Sequence, residues 1–527
     1  MSAWSRLRPL AALMLALPLL AAAPAATSSA ATVVPSQWIA KIYSEGLGRA
    51  PDPGAWANMV ANFTTNGCSA ATLAQAGEPI YLSSEFSQLG YDNAARLLAL
   101  YRGALDREPD TSGYNFYLGL LHGGTSWKTI VDAFFTSSEF TGDAATFCTE
   151  GSYSFGSGPA IAIPLGQGCS GTFCFTGGTQ AQLQTMLNKA AATKATVTLA
   201  QQVVVPITTV RTVGPPRPRP VGLNIPPGVT LTTAGSPSPN QYAEMGRLVR
   251  AASVGTAAVV EVEGGAKLRN VWVDGQRTDP TDYSVDSVNV EMAGGAGATV
   301  SSDRLSNAVG FTNLHSLGTG ESLPCTSTTI TGNLVTAYSS SHTNQDWSDG
   351  ISVGCEHATV KNNTVIDATD VGIVLFRAYP AVQKSTVAGN TILNAGNPAF
   401  GGIVADPLAT SPNNSPSFAG SSINHNTLWT GPGTYYHIGL SIGTAAWFHS
   451  PNIGTGASFT DNSVTGSVTE GLAVSGMLNA TATGNTLDVT LGQYGHCPEA
   501  EIAVDPQYGS GTIQSPVTST DVRTCIS

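Results

Sequence analysis

Between positions 346 and 376 the chain reads DWSDGISVGCEHATVKNNTVIDATDVGIVLF. Two aspartates, Asp349 and Asp370, stand just ahead of Gly350 and Gly372 in two similar phrases, DGISV and DVGIVL. Carboxyls at nearly equivalent places of a repeat, stacked about 5 Å apart, would share a proton or divide the roles of acid and base. Hydrolysis of a glycosidic bond needs such a pair. Elimination beside a uronate needs a base and a cation facing the developing enolate, and Arg377, His437 and Lys384 are the set for that. The catalytic candidates are therefore Asp349, Asp370, Arg377 and His437. Asp346, Trp347, Lys384, Asp406 and Tyr435 are the candidates for holding substrate. Tyr379, Tyr436 and Trp447 add rings that could stack on sugars. A structural alternative exists, because Asp before Gly is also ordinary turn chemistry. Asp349 and Asp370 would then bond their own backbone, or Asp370 would pair with Arg377.

What must position these residues is a repeat. An apolar residue, two polar or small residues, Asn, one residue and another apolar residue recur at Asn333, Asn363, Asn390, Asn426, Asn462 and Asn485. The spacings run from the low twenties to the mid thirties, one solenoid coil plus loops. Most copies are followed by Gly, Ile or Leu, any residue, then an apolar residue, at Gly350, Gly372, Gly402, Gly439 and Gly471. Such coils bond to the coils above and below, with alternate side chains stacked inward. The asparagines are expected to form a structural ladder at a bend, and the glycines to supply tight corners. In that alignment Asp370 shares a column with His437 two coils later, and Arg377 adjoins Asp406.

The phrase NIPPGVTL at Asn224, followed by these coils, resembles the right-handed parallel β-helix proteins of the pectin-lyase-like superfamily. The resemblance covers residues 179–527 and implies a mainly β fold, a right-handed parallel β-helix solenoid. It also implies a polysaccharide ligand. Polygalacturonase-like hydrolases carry Asn-Thr-Asp, Asp-Asp and Gly-x-Gly-His. This chain has Ser348-Asp349-Gly350 at the first and lacks the others, and it lacks the Arg-x-Pro-x-x-Arg of pectate lyases.

Ahead of the solenoid one helical phrase occurs twice. WIAKIYSEGLGRAPDPGAW with YLSSEF is matched by LLALYRGALDREPDTSGYNFY with FFTSSEF. Leu97, Leu98, Tyr101 and Leu105 share one helical face, Pro109 ends that helix and Asp110 caps the next. The second copy resembles the bacterial domain of unknown function 4214, an accessory module without catalytic chemistry. The expected organisation is thus a signal peptide at 1–31, a small all-α tandem at 33–148, a linker at 149–178 and the β-helix at 179–527. Arg49 and Arg107 are expected to tie helix ends together.

The signal peptide rests on Arg6 and Arg8 ahead of the apolar run from Leu10 to Ala23. It implies a secreted or cell-surface protein. Eight cysteines then read as disulfides, with Cys68–Cys148, Cys169–Cys174, Cys325–Cys355 and Cys497–Cys525 as candidates. No cysteine or histidine spacing offers a zinc site. Ca²⁺ is the one cofactor left open, among Asp346, Asp349, Asp367 and Asp370. A net charge of -12 excludes a nucleic-acid partner, and no later run is long enough to span a membrane. The expectation is an exported protein, monomeric, that binds a polysaccharide and cleaves it as a lyase or glycoside hydrolase. The alternative is a non-catalytic surface or matrix adhesion protein.

Overall fold

The computed structural model describes residues 33–149, 160, 161, 163–214, 219–255, 257–277, 287–316, 325–337, 347–377, 383–407, 416–447, 453–523, 525 and 526. The expected signal peptide lies outside these residues.

The chain is mainly β, a parallel β-helix preceded by helices. Parallel pairing begins at Cys174–Phe175, capped by the amphipathic helix Gln180–Ala191, and runs to the last strands in two long sheets. Inward Val, Ile and Leu of successive coils form one continuous core, with Leu231, Leu268, Val300, Ile330, Val360, Val387 and Ile423 among its wholly buried members. Four disulfides join Cys68 to Cys148, Cys169 to Cys174, Cys325 to Cys355 and Cys497 to Cys525. That many crosslinks suits an oxidising, extracellular compartment. No helix among the described residues is long and apolar enough to cross a membrane.

The asparagine ladder holds the coils in register. Asn333 Nδ2 donates to Asn363 Oδ1 at 2.9 Å, and the link repeats through Asn390, Asn426, Asn462 and Asn485. Each Oδ1 also accepts the backbone N–H of the preceding asparagine. The residue before each ladder asparagine is left-handed, for example Gly332 at φ +66, Asn362 at +56 and His425 at +53. The bend that aims the amide inward is therefore built one residue earlier. The second glycine series works differently from the tight corner expected of it. A Cβ on Gly350, Gly372, Gly402 or Gly439 would lie 2.5–2.7 Å from the carbonyl oxygen of the next coil's glycine. These positions need glycine for close approach, not for a left-handed turn.

The helices do not stand apart from the solenoid. The first, Ser36–Gly46, is buried along its whole length. One side meets the helical core and the other covers an outward stripe of successive coils, including Trp272, Leu334, Ile366, Leu393 and Trp429. Ser36 Oγ donates to Pro432 O at 3.0 Å, and Gln37 Nε2 to Asp367 Oδ2 at 3.2 Å. The repeat arginines tie helix ends as expected. Arg49 grips Glu85 at 2.6 and 2.8 Å, and Arg107 grips Glu139 in the same two-pronged way.

At the near end of this junction lies a buried charge network. Glu45 accepts from Arg102 Nε at 2.9 Å, from Tyr242 at 2.7 Å and from Arg304. Arg102 also reaches Glu108, which Arg247 holds at 2.8 Å, and Arg247 reaches Asp274. Three arginines face three carboxylates, and Trp272 lies under the guanidiniums, the Arg247 carbon 3.8 Å from its ring centre. Burial opposes ionisation of Glu45, but Arg102 and Arg304 outweigh it and hold the carboxyl at about 2. Removing one partner of such a network strands a buried charge, at a cost of about 3–5 kcal/mol. Glu45→Ala is therefore expected to lower stability by about that much in denaturant titration at pH 7. An unchanged midpoint would show that the junction carries no such network.

Candidate active-site cleft

On strands other than those the first helix covers, coil register gathers the aspartates. Asp349 begins the strand Asp349–Val353 and pairs with Thr312 of the coil before. Ile351 pairs with Ile373, so Val371 stacks beside Asp349 and Asp370 is displaced by one residue along the next coil. The strand Val371–Phe376 then pairs with Ala399–Asp406, setting Asp406 beside Phe376. Asp349, Asp370 and Asp406 line one cavity of about 140 Å³ together with Val371, Val374, Phe376, Val404, Thr444 and Trp447.

The three carboxyls are held differently. Asp349 accepts from Ser352 Oγ at 2.7 Å and from the Val371 N–H at 3.1 Å. Asp406 accepts from Thr444 Oγ1 at 3.0 Å. Among the described residues no hydrogen bond engages the carboxyl of Asp370. Burial, and then the neighbouring charge of Asp406, push Asp370 up to about 7. Burial, and then the charge of Asp370, push Asp349 well above the usual carboxylate range, against the pull of its two donors. A cavity in which Asp370 keeps its proton up to about pH 7 meets the condition a general acid requires. The turn-chemistry alternative covers part of the role of Asp349 and none of the side chain of Asp370.

The other candidates fall at different distances from this cavity. Arg377 follows Phe376 on its rim, its N–H bonding Asp406 O at 3.0 Å. His437 does share a column with Asp370, with Phe400 between them, since Ala399 and Gly401 pair with Tyr436 and Ile438. It is buried, its ring stacked 5.6 Å from Phe400 and flanked by Tyr435 at 5.2 Å. Trp347 meets Phe400 edge-on at 5.4 Å, and Tyr435 stacks on Tyr494 at 3.8 Å. Lys384 stands elsewhere. It is exposed in the turn before the strand Thr386–Ala388 of the other sheet, beside Gly420. Asp367 is also remote from the cleft. Its carboxylate accepts the N–H groups of Ala395 and Gly396 at 2.6 and 3.0 Å and faces Gln37 of the helical junction. Tyr436 is wholly buried in the solenoid core and offers no ring to a ligand. Asp346 and Tyr379 lie outside the described residues.

Several neighbours of the cleft carry no signal in the sequence pattern. His315 pairs with Ser352 across coils, and its Nδ1 lies 2.7 Å from Glu291. The column of Ser352, whose Oγ donates to Asp349, thus continues to His315 one coil up and to Glu291 two coils up. Glu470 lies in the column of Asp349, sealed beside the Cys497–Cys525 disulfide, and burial alone pushes it up to about 8. Only the strand register, not spacing along the chain, reveals either group.

Residues 78–144 match the family described as Domain of unknown function (DUF4214), which covers the second helical copy. No curated protein matches the chain. Among solved structures, the endo-xylogalacturonan hydrolase of Aspergillus tubingensis is 14% identical with a TM-score of 0.40, over 64% of this chain and 95% of that one. A tailspike protein of E. coli bacteriophage HK620 is 12% identical with a TM-score of 0.38, over 62% and 61%. The catalytic domain of a GH87 alpha-1,3-glucanase is 14% identical with a TM-score of 0.33, over 69% and 70%.

The position of Asp370 makes a stability prediction whose sign is fixed. Its carboxyl sits at about 7 in the fold, against 3.8 ordinarily. The folded state therefore binds the proton more tightly, and stability is lost as pH rises through that window. Asp370→Asn should melt higher than the parent at pH 8.5 and show no such gain at pH 4. Equal differences at both pH values in thermal scans would contradict the assignment.

Proposed function

We propose that the protein is a glycoside hydrolase whose cleft takes a polysaccharide across the coils at Asp349, Asp370 and Asp406. The observation that supports this most directly is the convergence of three carboxyls in one cavity, with Asp370 protonated up to about pH 7. In this reading Asp370 is the general acid. It gives its proton to the glycosidic oxygen as the bond from that oxygen to the anomeric carbon breaks. Asp406, oriented by Thr444, takes a proton from the attacking water, so that one water is consumed and two hydroxyl ends are released. Asp349, fixed by Ser352 and the Val371 amide, holds its own proton more tightly once Asp370 is ionised.

A lyase is the less favoured chemistry. It needs a base and a cation at the enolate, and of the set expected for it Lys384 is on another face and His437 is packed among aromatic rings. Trp447 and Phe376 on the cavity wall suit the apolar face of a sugar ring.

A screen of polysaccharides should release new reducing ends without the absorbance of unsaturated uronates. Asp370→Asn and Asp406→Asn should each lose activity by about 10²–10⁴-fold. Because the acid must be protonated, kcat/KM should fall as pH rises through about 7. Unsaturated products, or full activity in both variants, would refute the hydrolase reading. Binding without cleavage would favour an adhesion role.

A further inference from the structure

We infer that the cleft takes a neutral glycan and not a polyuronate, an inference that rests on the cleft of the proposed hydrolase being its binding site. The first observation is the supply of cations. Between Arg304 and Arg523 the whole sequence contains only Lys361, Arg377 and Lys384 as basic residues besides histidine. Lys361 closes the strand Thr359–Lys361, and Lys384 precedes Thr386–Ala388. Both strands belong to the sheet that does not carry the aspartates. In the sequence, residues 317–324, 338–346, 378–382, 408–415 and 448–452 contain no Lys or Arg.

Of these three basic residues Arg377 alone adjoins a strand of the sheet that carries the aspartates, where its backbone N–H bonds Asp406 O at 3.0 Å. Two arginines of earlier coils are engaged by the protein itself. Arg277 is only 1% exposed and donates to Ser348 Oγ at 3.3 Å, and Arg219 grips Glu261 at 2.7 Å. A polyuronate brings a carboxylate on every sugar. Each one entering this cleft would lose its water and meet the charge of Asp406, with few cations in this stretch of sequence to offset either cost.

The second observation is the aromatic surface next to the acids. Phe400 occupies the coil directly after Asp370 in the same column, with Trp347 edge-on to it. The ring series continues through Tyr435 to Tyr494 toward the C-terminal coils. Trp447 closes the cavity on its other side. Rings such as these bind uncharged sugar faces by burial of apolar surface, a contact that salt does not weaken.

The test uses Asp370→Asn of the full chain, which should bind without turnover. It is run in affinity electrophoresis through gels containing xylan, galactomannan, soluble β-glucan, sodium alginate or polygalacturonate, at 50 and 500 mM NaCl. At least one neutral polymer should retard it at least tenfold more strongly than either polyuronate, with little change in salt. Adding Phe400→Ala should weaken that retardation at least fivefold while the melting curve remains cooperative. Stronger retardation by alginate or polygalacturonate, or no retardation by any neutral polymer, overturns the inference. Retention on a neutral polymer that the parent protein then fails to cleave leaves the inference standing and removes the hydrolase reading instead.

Discussion

Hydrogen bonding between successive coils, at a repeat of about 4.8 Å, is the constraint on which the rest of this structure depends. Two devices enforce it. The ladder from Asn333 to Asn485 locks each coil to the next through paired amide and backbone bonds. The glycines at 350, 372, 402 and 439 let the backbones approach where any Cβ would collide with a carbonyl oxygen. A shift of one residue in any coil would turn inward residues outward and separate the aspartates. The cleft is therefore a consequence of register and not of a local motif.

Two buried charged regions show how the same physics serves different ends. At the helical junction three arginines and three carboxylates neutralise one another, and Glu45 stays ionised down to about 2. That region is balanced in charge, and it holds the first helix against the coils. In the cleft three carboxyls share a cavity, and Asp370 rises to about 7. A cluster of acids whose proton affinity is raised is costly to the fold, which is the pattern expected where chemistry and not packing sets the residues.

Much of this architecture is legible in the amino-acid sequence. The ladder asparagines and the glycine series set the phase of the coils, and that phase places Asp370 in line with His437 and brings Asp406 next to Arg377. It does not show that Phe400 intervenes and packs against His437, because a column gives order but not side-chain packing. Lys384 is close to the aspartates along the chain and far from them in space, since short separation says nothing about which sheet a turn serves. His315 and Glu291 stay hidden because their pairing is set by coil register, across a loop of unrelated sequence. The junction is equally hidden. Glu45 and Arg304 are 259 residues apart, and their partnership joins a helix to a strand with no shared period. Three of the disulfide pairs are easier to read, since their cysteines lie within 30 residues of each other along the chain.

The most direct measurement of the central claim is an NMR titration of the side-chain carboxyls in protein labelled with ¹³C at aspartate Cγ. Register-driven convergence predicts one carboxyl with its midpoint near 7 that vanishes in Asp370→Asn, and a change in the neighbouring titrations on Asp406→Asn. If the signal assigned to Asp370 instead titrates in the ordinary range near 4 and ignores Asp406, the three acids do not share a cavity and the account fails.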